Sequence, residues 1–349
     1  MKQKIQEIFN VWIADETEDY SGVLSASDVA GVIYQAAYGL RNKAEALPNA
    51  ADTAFAIASG TKLFTGLAIC KLIDSGKLSL ESKLGDVLPY ELGQINRNIT
   101  IYQLLTHTSG VGDYIDEEAE DFDDMLAALY VKYPAHLWER LDYYLQMMTD
   151  LPPKFEPGAR YAYSNSGYVL LGLVVEAVSG VSFQQFVQDE IIMSCGLTHT
   201  GFYRLDALPD NTALGYMEDE DTGEWRVNTK DLPVIGGSDG GMYSCAADMD
   251  TLWRALFDGK ILSPAMTAAF LTPHVIIEVD EAEGTVESYG LGVYLVKEGD
   301  KTFYFIMGVD SGVGFFSGYY PATKTVVSAF SNTGYQGASL LFDELPALL

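Results

Sequence analysis

The sequence predicts an α+β fold, with one antiparallel sheet flanked by helices and a mainly helical lobe beside it. Residues 21–38 place Val, Ile, Leu and Tyr on both sides of a short polar link, which is typical of a β-hairpin. In residues 84–205 the apolar side chains recur mostly at the spacing of a helix. From residue 275 onward, short β-branched and aromatic segments return, separated by Gly, Asp or Pro. We therefore expect both ends of the chain to share one sheet.

The individual elements follow from hydrophobic periodicity. An amphipathic helix is predicted at the N-terminus. A second is predicted over 61–72, where Leu63, Phe64 and Leu67 are spaced on one face and a Ser-Gly pair ends the pattern. The middle is predicted to hold helices over 101–105, 125–148 with a break at Pro134, 168–178 and 183–192. The later strands are predicted at 275–279, 289–296, 302–307, 315–320 and 325–331.

The domain organisation predicted for the 349 residues is a single folded unit, since no repeat, low-complexity tract or linker interrupts the chain. Within it we expect an α/β lobe built from about 1–60 and 235–349, and a helical lobe over about 61–234. Hydrophobic residues make up 48% of the chain, which is enough to bury a full-sized core.

The charge balance excludes several partners. With 21 basic and 49 acidic residues, the net charge is −28, so the chain repels nucleic acid and anionic membrane surfaces. No apolar stretch is long enough to span a bilayer, and the N-terminus has no signal-peptide pattern. We therefore expect a cytoplasmic protein with no nucleic-acid or membrane partner. The oligomeric state is left open by the sequence.

The cysteines and histidines indicate neither a disulfide framework nor a metal site. The three cysteines are irregularly spaced, and Cys70 lies in an apolar helical pattern as a small buried hydrophobe. The histidines lack metal-like spacing. They are His107, His136, His199 and His274. We expect no metal and no cofactor.

The first candidate for chemistry is the segment Ser59-Gly60-Thr61-Lys62. Residues three apart on a helix share a face, so Lys62 lies beside the Ser59 hydroxyl if the serine opens the helix. The helix N-terminus favours a developing alkoxide, and a buried lysine can lose its proton near neutral pH and act as a base. Taken alone, however, the pattern is more typical of an N-cap serine followed by a surface lysine.

The second candidate is Tyr163-Ser164-Asn165, which follows a Pro-Gly turn and precedes an apolar helix. A tyrosine on such a loop can present its phenol to a cleft. A nearby lysine ammonium would lower the pKa of that phenol, so that it could accept a proton from the serine. Asn165 could hydrogen-bond Lys62 or a substrate amide. Alone, the segment is as well explained by an N-cap at Ser164 or Asn165 with Tyr163 packed nearby.

Together and in this order, the two motifs resemble those of the serine β-lactamases and penicillin-binding proteins, whose signature includes Ser-x-x-Lys. The closer resemblance is to class C β-lactamases and the related esterases and D-aminopeptidases, which use Tyr-x-Asn as the second motif. Four longer segments look like landmarks of that family: residues 56–66, 104–110 (LLTHTSG), 157–172 and 240–249. The resemblance implies the β-lactamase/transpeptidase-like fold, and a structural role for His107 in holding a turn.

The same resemblance implies the catalytic roles. Ser59 would be the nucleophile, and Lys62 and Tyr163 would share the proton transfer. Asn165 would orient Lys62 and the substrate. The reaction would be acyl transfer through a covalent Ser59 ester, followed by release with water.

The third motif of the family departs from its usual form. It is Lys-Thr-Gly or His-x-Gly on a strand lining the cleft, and the matching segment here, 308–317, contains neither Lys nor His. Val309 or Asp310 takes that place, and an aspartate would repel a substrate carboxylate. The substrate-binding residues are predicted to be Asp310, Ser311, Gly312 and Val313. The backbone near Gly312-Val313 would complete an oxyanion hole with the Ser59 N–H.

These observations predict a serine hydrolase acting on a small-molecule ester, amide or β-lactam. Two alternatives remain. One is a penicillin-binding D-peptidase, and the other is a non-catalytic binding protein that kept the fold while its third motif decayed.

Overall fold

The computed structural model describes residues 2–16, 20–219 and 221–334. Its strands are β1 (Gly22–Asp28), β2 (Gly31–Tyr38), β3 (Leu40–Asn42), β4 (Leu47–Pro48), β5 (Phe55–Ala56), β6 (Tyr216–Glu218), β7 (Trp225–Val227), β8 (Tyr243–Ser244), β9 (Val275–Asp280), β10 (Thr285–Tyr289), β11 (Tyr294–Glu298), β12 (Lys301–Asp310), β13 (Val313–Tyr320) and β14 (Thr325–Ser331).

The helices are α1 (Lys2–Glu16), α2 (Thr61–Asp74), α3 (Leu84–Val87), α4 (Ile101–Leu105), α5 (Phe122–Lys132), α6 (Leu145–Met148), α7 (Asn165–Ser179), α8 (Phe183–Val187), α9 (Met193–Cys195), α10 (Ala246–Phe257) and α11 (Pro264–Leu271). Short 3-10 turns occur at Ala58–Gly60, Ala135–Leu137 and Leu141–Tyr144, and a π-helical turn over Gln188–Ile192 joins α8 to α9.

Eight strands form one antiparallel sheet in the order β2-β1-β14-β13-β12-β11-β10-β9. The first hairpin pairs with the last strand, with Gly22 opposite Ser331 and Val23 opposite Phe330. Strands from the two ends of the chain therefore meet inside the sheet, which confirms the predicted α+β class.

Both faces of the sheet are covered, because successive side chains on a strand point to opposite sides. On β13, Phe316 belongs to a cluster with Ile5 and Phe9 of α1. Its neighbour Phe315 belongs to the larger core cluster on the other face. On that second face α10 packs against β14, and its Trp253 donates from Nε1 to Ser317 Oγ at 2.9 Å.

The larger core is continuous between the sheet and the helical middle of the chain. It joins Phe315 and Phe330 of the sheet to Leu67 of α2 and Leu170 of α7, all four fully buried. Such burial is worth about 1.5–3 kcal/mol for each large apolar side chain. The lobes are thus packed on a shared core, while the lobe boundaries given above stay a prediction.

Two sequence-based predictions of elements were wrong in detail. The strand predicted over 289–296 is interrupted, since β10 ends at Tyr289 and β11 begins at Tyr294. Gly290 donates to Val293 O in a turn between them, and Gly292 has φ +121°, a conformation that only glycine adopts readily. The helix predicted over 125–148 is divided into α5, two 3-10 turns and α6, with the first break at Pro134 as expected.

The three cysteines are free thiols, and Cys70 is fully buried as predicted. Among the described helices, no single one has the length and apolar character needed to cross a membrane. The pair Asn165–Ser179 and Phe183–Cys195 reaches them only jointly, with a bend of 78° between its halves.

Candidate active site

The segment that carries Ser59 is a strained turn at the start of a buried helix. Ser59 lies in the 3-10 turn that leads into α2, and Ala58 before it has φ +43°, an uncommon conformation for a residue with a side chain. Thr61 holds the turn, since its Oγ1 donates to Ala58 O at 2.7 Å and accepts from Met242 N at 3.0 Å. Ser59 is thereby set at a defined position in front of α2.

Strand β12 approaches this turn closely at Gly308. A Cβ atom on Gly308 would lie 2.3 Å from Ile57 O and 2.7 Å from Ser59 N, so only glycine fits without a shift of the backbone. The sheet therefore forms the wall against which the Ser59 turn rests.

Lys62 is almost completely buried, with 2% of its surface exposed, and lies in the first turn of α2, three residues after Ser59. Its Nζ donates to Ser59 Oγ at 3.1 Å, to Asn165 Oδ1 at 2.7 Å and to Asp239 O at 2.7 Å. Burial lowers the pKa of Lys62, and the charges of Asp239 and Glu117 oppose that shift. All three N–H bonds of the ammonium are thus used.

The partners of Lys62 determine where its lone pair points once it loses a proton. Asn165 Oδ1 and Asp239 O can only accept hydrogen bonds, so a neutral amine keeps its two N–H groups on them. The lone pair then faces the third partner, Ser59 Oγ. This arrangement suits a base that removes the serine proton.

Tyr163 belongs to the second motif, and its hydroxyl donates to Ser59 Oγ at 2.8 Å. Burial raises the pKa of Tyr163 well above its ordinary value, and the charge of Glu117 adds to the effect. The lowered pKa that we expected from a neighbouring lysine was wrong in direction. Lys62 Nζ lies over the Tyr163 ring, 4.8 Å from its centroid, and the phenol itself is desolvated. Tyr163 is therefore a protonated phenol at neutral pH.

The loop that carries Tyr163 is held by His107. His107 Nδ1 accepts from Ser164 N at 3.0 Å, and its ring lies 4.6 Å from the Tyr163 ring between centroids. Burial and the charge of Lys62 lower the pKa of His107 well below its ordinary value, so the ring is neutral and its proton sits on Nε2. His107 thus shapes the turn, as the family resemblance implied.

Asn165 begins α7, and Ser164 is the N-cap residue, whose side chain accepts from Gly167 N. The Asn165 side chain is oriented by its own amide, which donates to Ile115 O at 3.1 Å and to Glu117 Oε1 at 2.9 Å. Its carbonyl oxygen is therefore left to face Lys62. The N-cap interpretation is correct for Ser164, while Tyr163 and Asn165 make the contacts to Ser59 and Lys62 that the catalytic interpretation requires.

Asp113 clamps the first turn of α7. Its two carboxylate oxygens accept from Asn165 N at 2.7 Å and Ser166 N at 2.9 Å, two of the amides that a helix start leaves unpaired. This contact ties the Asn165 backbone to the loop that follows the LLTHTSG landmark.

A cavity of about 490 Å³ opens in front of Ser59. It is bordered by the aromatic residues Tyr114, Phe122, Tyr130, Trp138 and Tyr144, and by the acidic residues Glu117, Asp123, Asp239 and Asp310. Ser59 and Asn165 also line it. The cavity has the size of a small-molecule site.

The structure brings Ser59, Lys62, Tyr163 and Asn165 together at hydrogen-bond distance. Of the four substrate-binding candidates, Asp310 and Ser311 line the cavity. The other two are placed differently. Gly312 packs against the backbone of residues 215 and 216. Val313 lines a small adjoining pocket that shares Ala58, Gly241 and Asp310 with the cavity.

Three functional neighbours were missed by sequence reasoning. They are Asp239, whose carbonyl accepts from Lys62, Tyr114, whose hydroxyl donates to the Asp239 carboxylate, and Asp113. The only sequence signal was proximity to the landmarks, since Asp239 directly precedes Gly240-Gly241 and Asp113 is the third residue after the LLTHTSG segment.

One group of described residues has the composition of a metal site. His199, Cys245 and Asp248 place ligand atoms within 4.8 Å of one another, which their sequence spacing did not suggest. The Asp248 carboxylate is already engaged, because it accepts from Thr198 N and His199 N. It also accepts from the Thr200 hydroxyl. Burial raises the pKa of Cys245 to about 11, which keeps the thiol protonated. The Asp248 carboxylate therefore stabilises the loop through these hydrogen bonds, and neither it nor the protonated Cys245 thiol is a free ligand for a metal ion.

The chain belongs to the beta-lactamase family, whose model matches residues 18–345. It is 41% identical to a penicillin-binding protein from Bacillus halodurans, with a TM-score of 0.87 over 97% of this chain and 99% of that one. A D-stereospecific amidohydrolase from Streptomyces sp. shares the fold at 23% identity and a TM-score of 0.80, over 99% and 98% of the two chains.

A curated relative is penicillin-binding protein 4* of Bacillus subtilis (strain 168), 27% identical over 310 residues. The match covers 86% of this chain but only 64% of the relative, so this chain spans just under two thirds of that protein's length. The family membership agrees with the resemblance carried by the motifs.

Proposed function

We propose that this chain is a serine hydrolase that acts through a covalent acyl-Ser59 ester. One observation carries the proposal: Ser59 Oγ accepts hydrogen bonds from both Lys62 Nζ, at 3.1 Å, and Tyr163 OH, at 2.8 Å. A serine hydroxyl is a weak nucleophile and needs a base within this distance. The membership in the beta-lactamase family supports a hydrolase.

In the acylation step, neutral Lys62 removes the Ser59 proton while Oγ bonds to the substrate carbonyl carbon. The carbonyl π electrons move to oxygen, giving a tetrahedral oxyanion. When the oxyanion collapses, the bond to the leaving group breaks, and the leaving group takes a proton from the Tyr163 phenol or the Lys62 ammonium. If Tyr163 supplies that proton, the Lys62 ammonium then reprotonates the phenolate; if Lys62 supplies it, Tyr163 stays a phenol. In both cases the acyl-enzyme is left with a neutral Lys62 and a neutral Tyr163.

The oxyanion needs donors that are already in place. The Ser59 N–H is expected to be one, since Ser59 lines the cavity and its main chain lies beside strand β12 at Gly308. The second donor is expected from the connection between β12 and β13, where Asp310 and Ser311 reach the cavity.

In the deacylation step, water attacks the acyl-Ser59 ester. The same base takes the water proton, and the Ser59 oxygen regains a proton as the acid leaves. The substrate is a small ester, amide or β-lactam. The altered third motif, with Val309 and Asp310 in place of Lys or His, argues against substrates that depend on a carboxylate.

The test is labelling with a fluorophosphonate probe, which traps activated serines. We expect wild type to be labelled and Ser59→Ala not to be, while Ser79→Ala, which removes an exposed serine, is labelled like wild type. If the wild type is not labelled, or if Ser59→Ala is labelled equally well, the proposal of a serine hydrolase is contradicted. Those results would favour the non-catalytic binding protein.

A penicillin-binding D-peptidase is the second candidate, because the relatives cited above carry penicillin-binding names. A labelled penicillin and a chromogenic cephalosporin separate the outcomes. A long-lived penicillin adduct on Ser59 would support the peptidase, and rapid cephalosporin turnover would support a β-lactamase. Turnover of nitrophenyl esters without either would support an esterase.

A further inference from the structure

The cavity in front of Ser59 has an acidic lining. Glu117, Asp123, Asp239 and Asp310 border it, and within the described part of the chain its lining contains no Lys, Arg or His. The Ser59 nucleophile already marks the cavity as a substrate site. The acidic residues therefore bear on which substrate enters.

The nearby positive charge of the protein does not neutralise these acids. The Lys62 ammonium interacts with Asp239, Glu117, Asp113 and Asp310, so four carboxyl groups act on one cation. Its three N–H bonds end on Ser59, Asn165 and a main-chain carbonyl rather than on a carboxylate. Asp113 is engaged by the first turn of α7. The cavity acids thus retain negative charge that Lys62 leaves uncompensated.

The cavity acids also repel one another. Burial raises the pKa of Asp310 to about 7, and the charges of Asp239, Glu117 and Asp231 add to the effect. Burial likewise raises the pKa of Asp239, although Lys62 and the Tyr114 hydroxyl oppose the shift. Like charges held close in a partly desolvated site are unfavourable until a cation joins them.

The cavity also has an aromatic wall, which contacts the acidic residues at Tyr114 and Asp239. Tyr130 stacks on Trp138 with 5.7 Å between centroids, and Tyr114 meets Tyr144 edge to face at 5.5 Å. All four border the cavity. Aromatic faces attract organic cations, and their apolar surface suits a flat or branched hydrocarbon group beside the charge. This observation is independent of the carboxylates and points to the same ligand chemistry.

We infer that the site selects ester or amide substrates that carry a protonated amine next to an apolar group, with the ammonium bound between Asp310 and Asp239 and the aromatic wall. This inference rests on the proposed serine hydrolase. Each carboxylate has about four acceptor positions, so Asp239 can bind an ammonium while it accepts from Tyr114. The net charge of −28 also attracts cations toward the cleft and repels anions.

The test compares three p-nitroanilides of D-phenylalanine that share a leaving group. They are the free amine, the neutral N-acetyl compound and the anionic N-succinyl compound. We expect kcat/KM to fall in that order, by about tenfold at the first step, the size of one charge-assisted hydrogen bond. The preference should shrink as salt is raised from 0.05 M to 0.5 M, and neutral nitrophenyl acetate provides the Ser59-dependent baseline.

The variant Asp310→Asn keeps the shape of the side chain and removes its charge. It should lower the preference for the free amine over the acetylated compound by about tenfold. The preference is a ratio of kcat/KM values measured on the same variant, so it is read independently of any change in the hydrolysis of nitrophenyl acetate. The matched control is Glu281→Gln, which removes an equal charge from an exposed turn outside the cavity and should preserve the preference.

The outcomes separate the two proposals. If nitrophenyl acetate is hydrolysed with Ser59 dependence but the three anilides react alike, or Asp310→Asn keeps the preference, the cation selectivity is overturned and the hydrolase stands. If the anilides are too slow, their ability to protect Ser59 from the fluorophosphonate is measured, with the same order expected. If the wild type neither labels nor turns over an ester, both proposals fail.

Discussion

The side-chain oxygen of Asn165 lies 2.7 Å from Lys62 Nζ and accepts its hydrogen bond, although 102 residues separate the two in the chain. Asn165 is neutral, so it orients the lysine without stabilising its charge as a carboxylate would. Burial lowers the pKa of Lys62, and this neutral partner adds no charge that would oppose the shift, as the proposed role of Lys62 as base requires.

The variant Asn165→Asp tests that relationship. A carboxylate at 2.7 Å from the ammonium should raise the pKa of Lys62, so the pH at which fluorophosphonate labelling reaches half its maximal rate should rise by about one unit or more. The control is Asn98→Asp, because Asn98 also accepts from a lysine, Lys83 at 3.3 Å, but at the surface. An unshifted pH profile in Asn165→Asp would mean that Lys62 is not the titrating base.

Replacing Lys62 and Tyr163 separately tests their unequal roles. We expect Lys62→Met to slow acylation about 10²–10⁴-fold, the usual contribution of a general base. Tyr163→Phe should cost less, about tenfold to a hundredfold, because the raised pKa of Tyr163 makes it a proton donor and the ring packing on His107 is kept. Single-turnover labelling rates measure both, with Tyr161→Phe as the neighbouring control. A larger loss in Tyr163→Phe would reverse the assignment of the base.

Gly308 is expected to be indispensable to the Ser59 turn. In Gly308→Ala the new methyl group would lie 2.3 Å from Ile57 O, so the turn or strand β12 must move. We predict a loss of about 1–3 kcal/mol in the free energy of unfolding, measured in urea, and slower labelling of Ser59. Gly240→Ala is the stability control, since its methyl group would meet the same turn at an ordinary 3.6 Å from Ala58. Equal stability of the two variants would contradict the prediction.

Asp310 should make stability depend on pH. Its pKa is raised to about 7, whereas an unfolded aspartate titrates near pH 3.9, so the folded chain keeps a proton that the unfolded chain releases. Stability from this group therefore falls as pH rises from about 4 to about 7, and the loss is complete above that range. The charges facing Asp310 are Asp239, Glu117, Asp231 and Lys62.

Asp310→Asn removes this titration. Relative to wild type, we expect no gain in unfolding free energy at pH 4 and a gain of about 1–2 kcal/mol at pH 8, below the full linkage value because the side chain is only partly buried. Urea unfolding at the two pH values measures it, with Glu281→Gln as control. A constant difference between wild type and Asp310→Asn across pH would show that Asp310 does not titrate in this range.

The fold was predictable where the signal is local. The β-branched, aromatic and aliphatic runs in residues 21–38 and 325–331 predicted strands β1, β2 and β14 and one sheet shared by both ends of the chain. That β1 pairs with β14 inside this sheet was decided by the tertiary structure. The break between β10 and β11 was not predicted. Gly292 at φ +121° lies against α2, where its Cβ position is 3.1 Å from Gly66, and such a long-range contact leaves no mark in a strand's own pattern.

For the site, the sequence alone determined the proximity of Ser59 and Lys62, because three residues on a helix bring two side chains to one face whatever the rest of the chain does. The motif around residue 163 gained its meaning from resemblance, and only the tertiary structure brought Tyr163 and Asn165 to the same hydroxyl and lysine. It also decided the protonation states, since the pKa of Lys62 falls and that of Tyr163 rises through burial. Desolvation and the charges of Glu117, Asp239 and Asp310 come from packing between distant segments, which residue spacing does not encode.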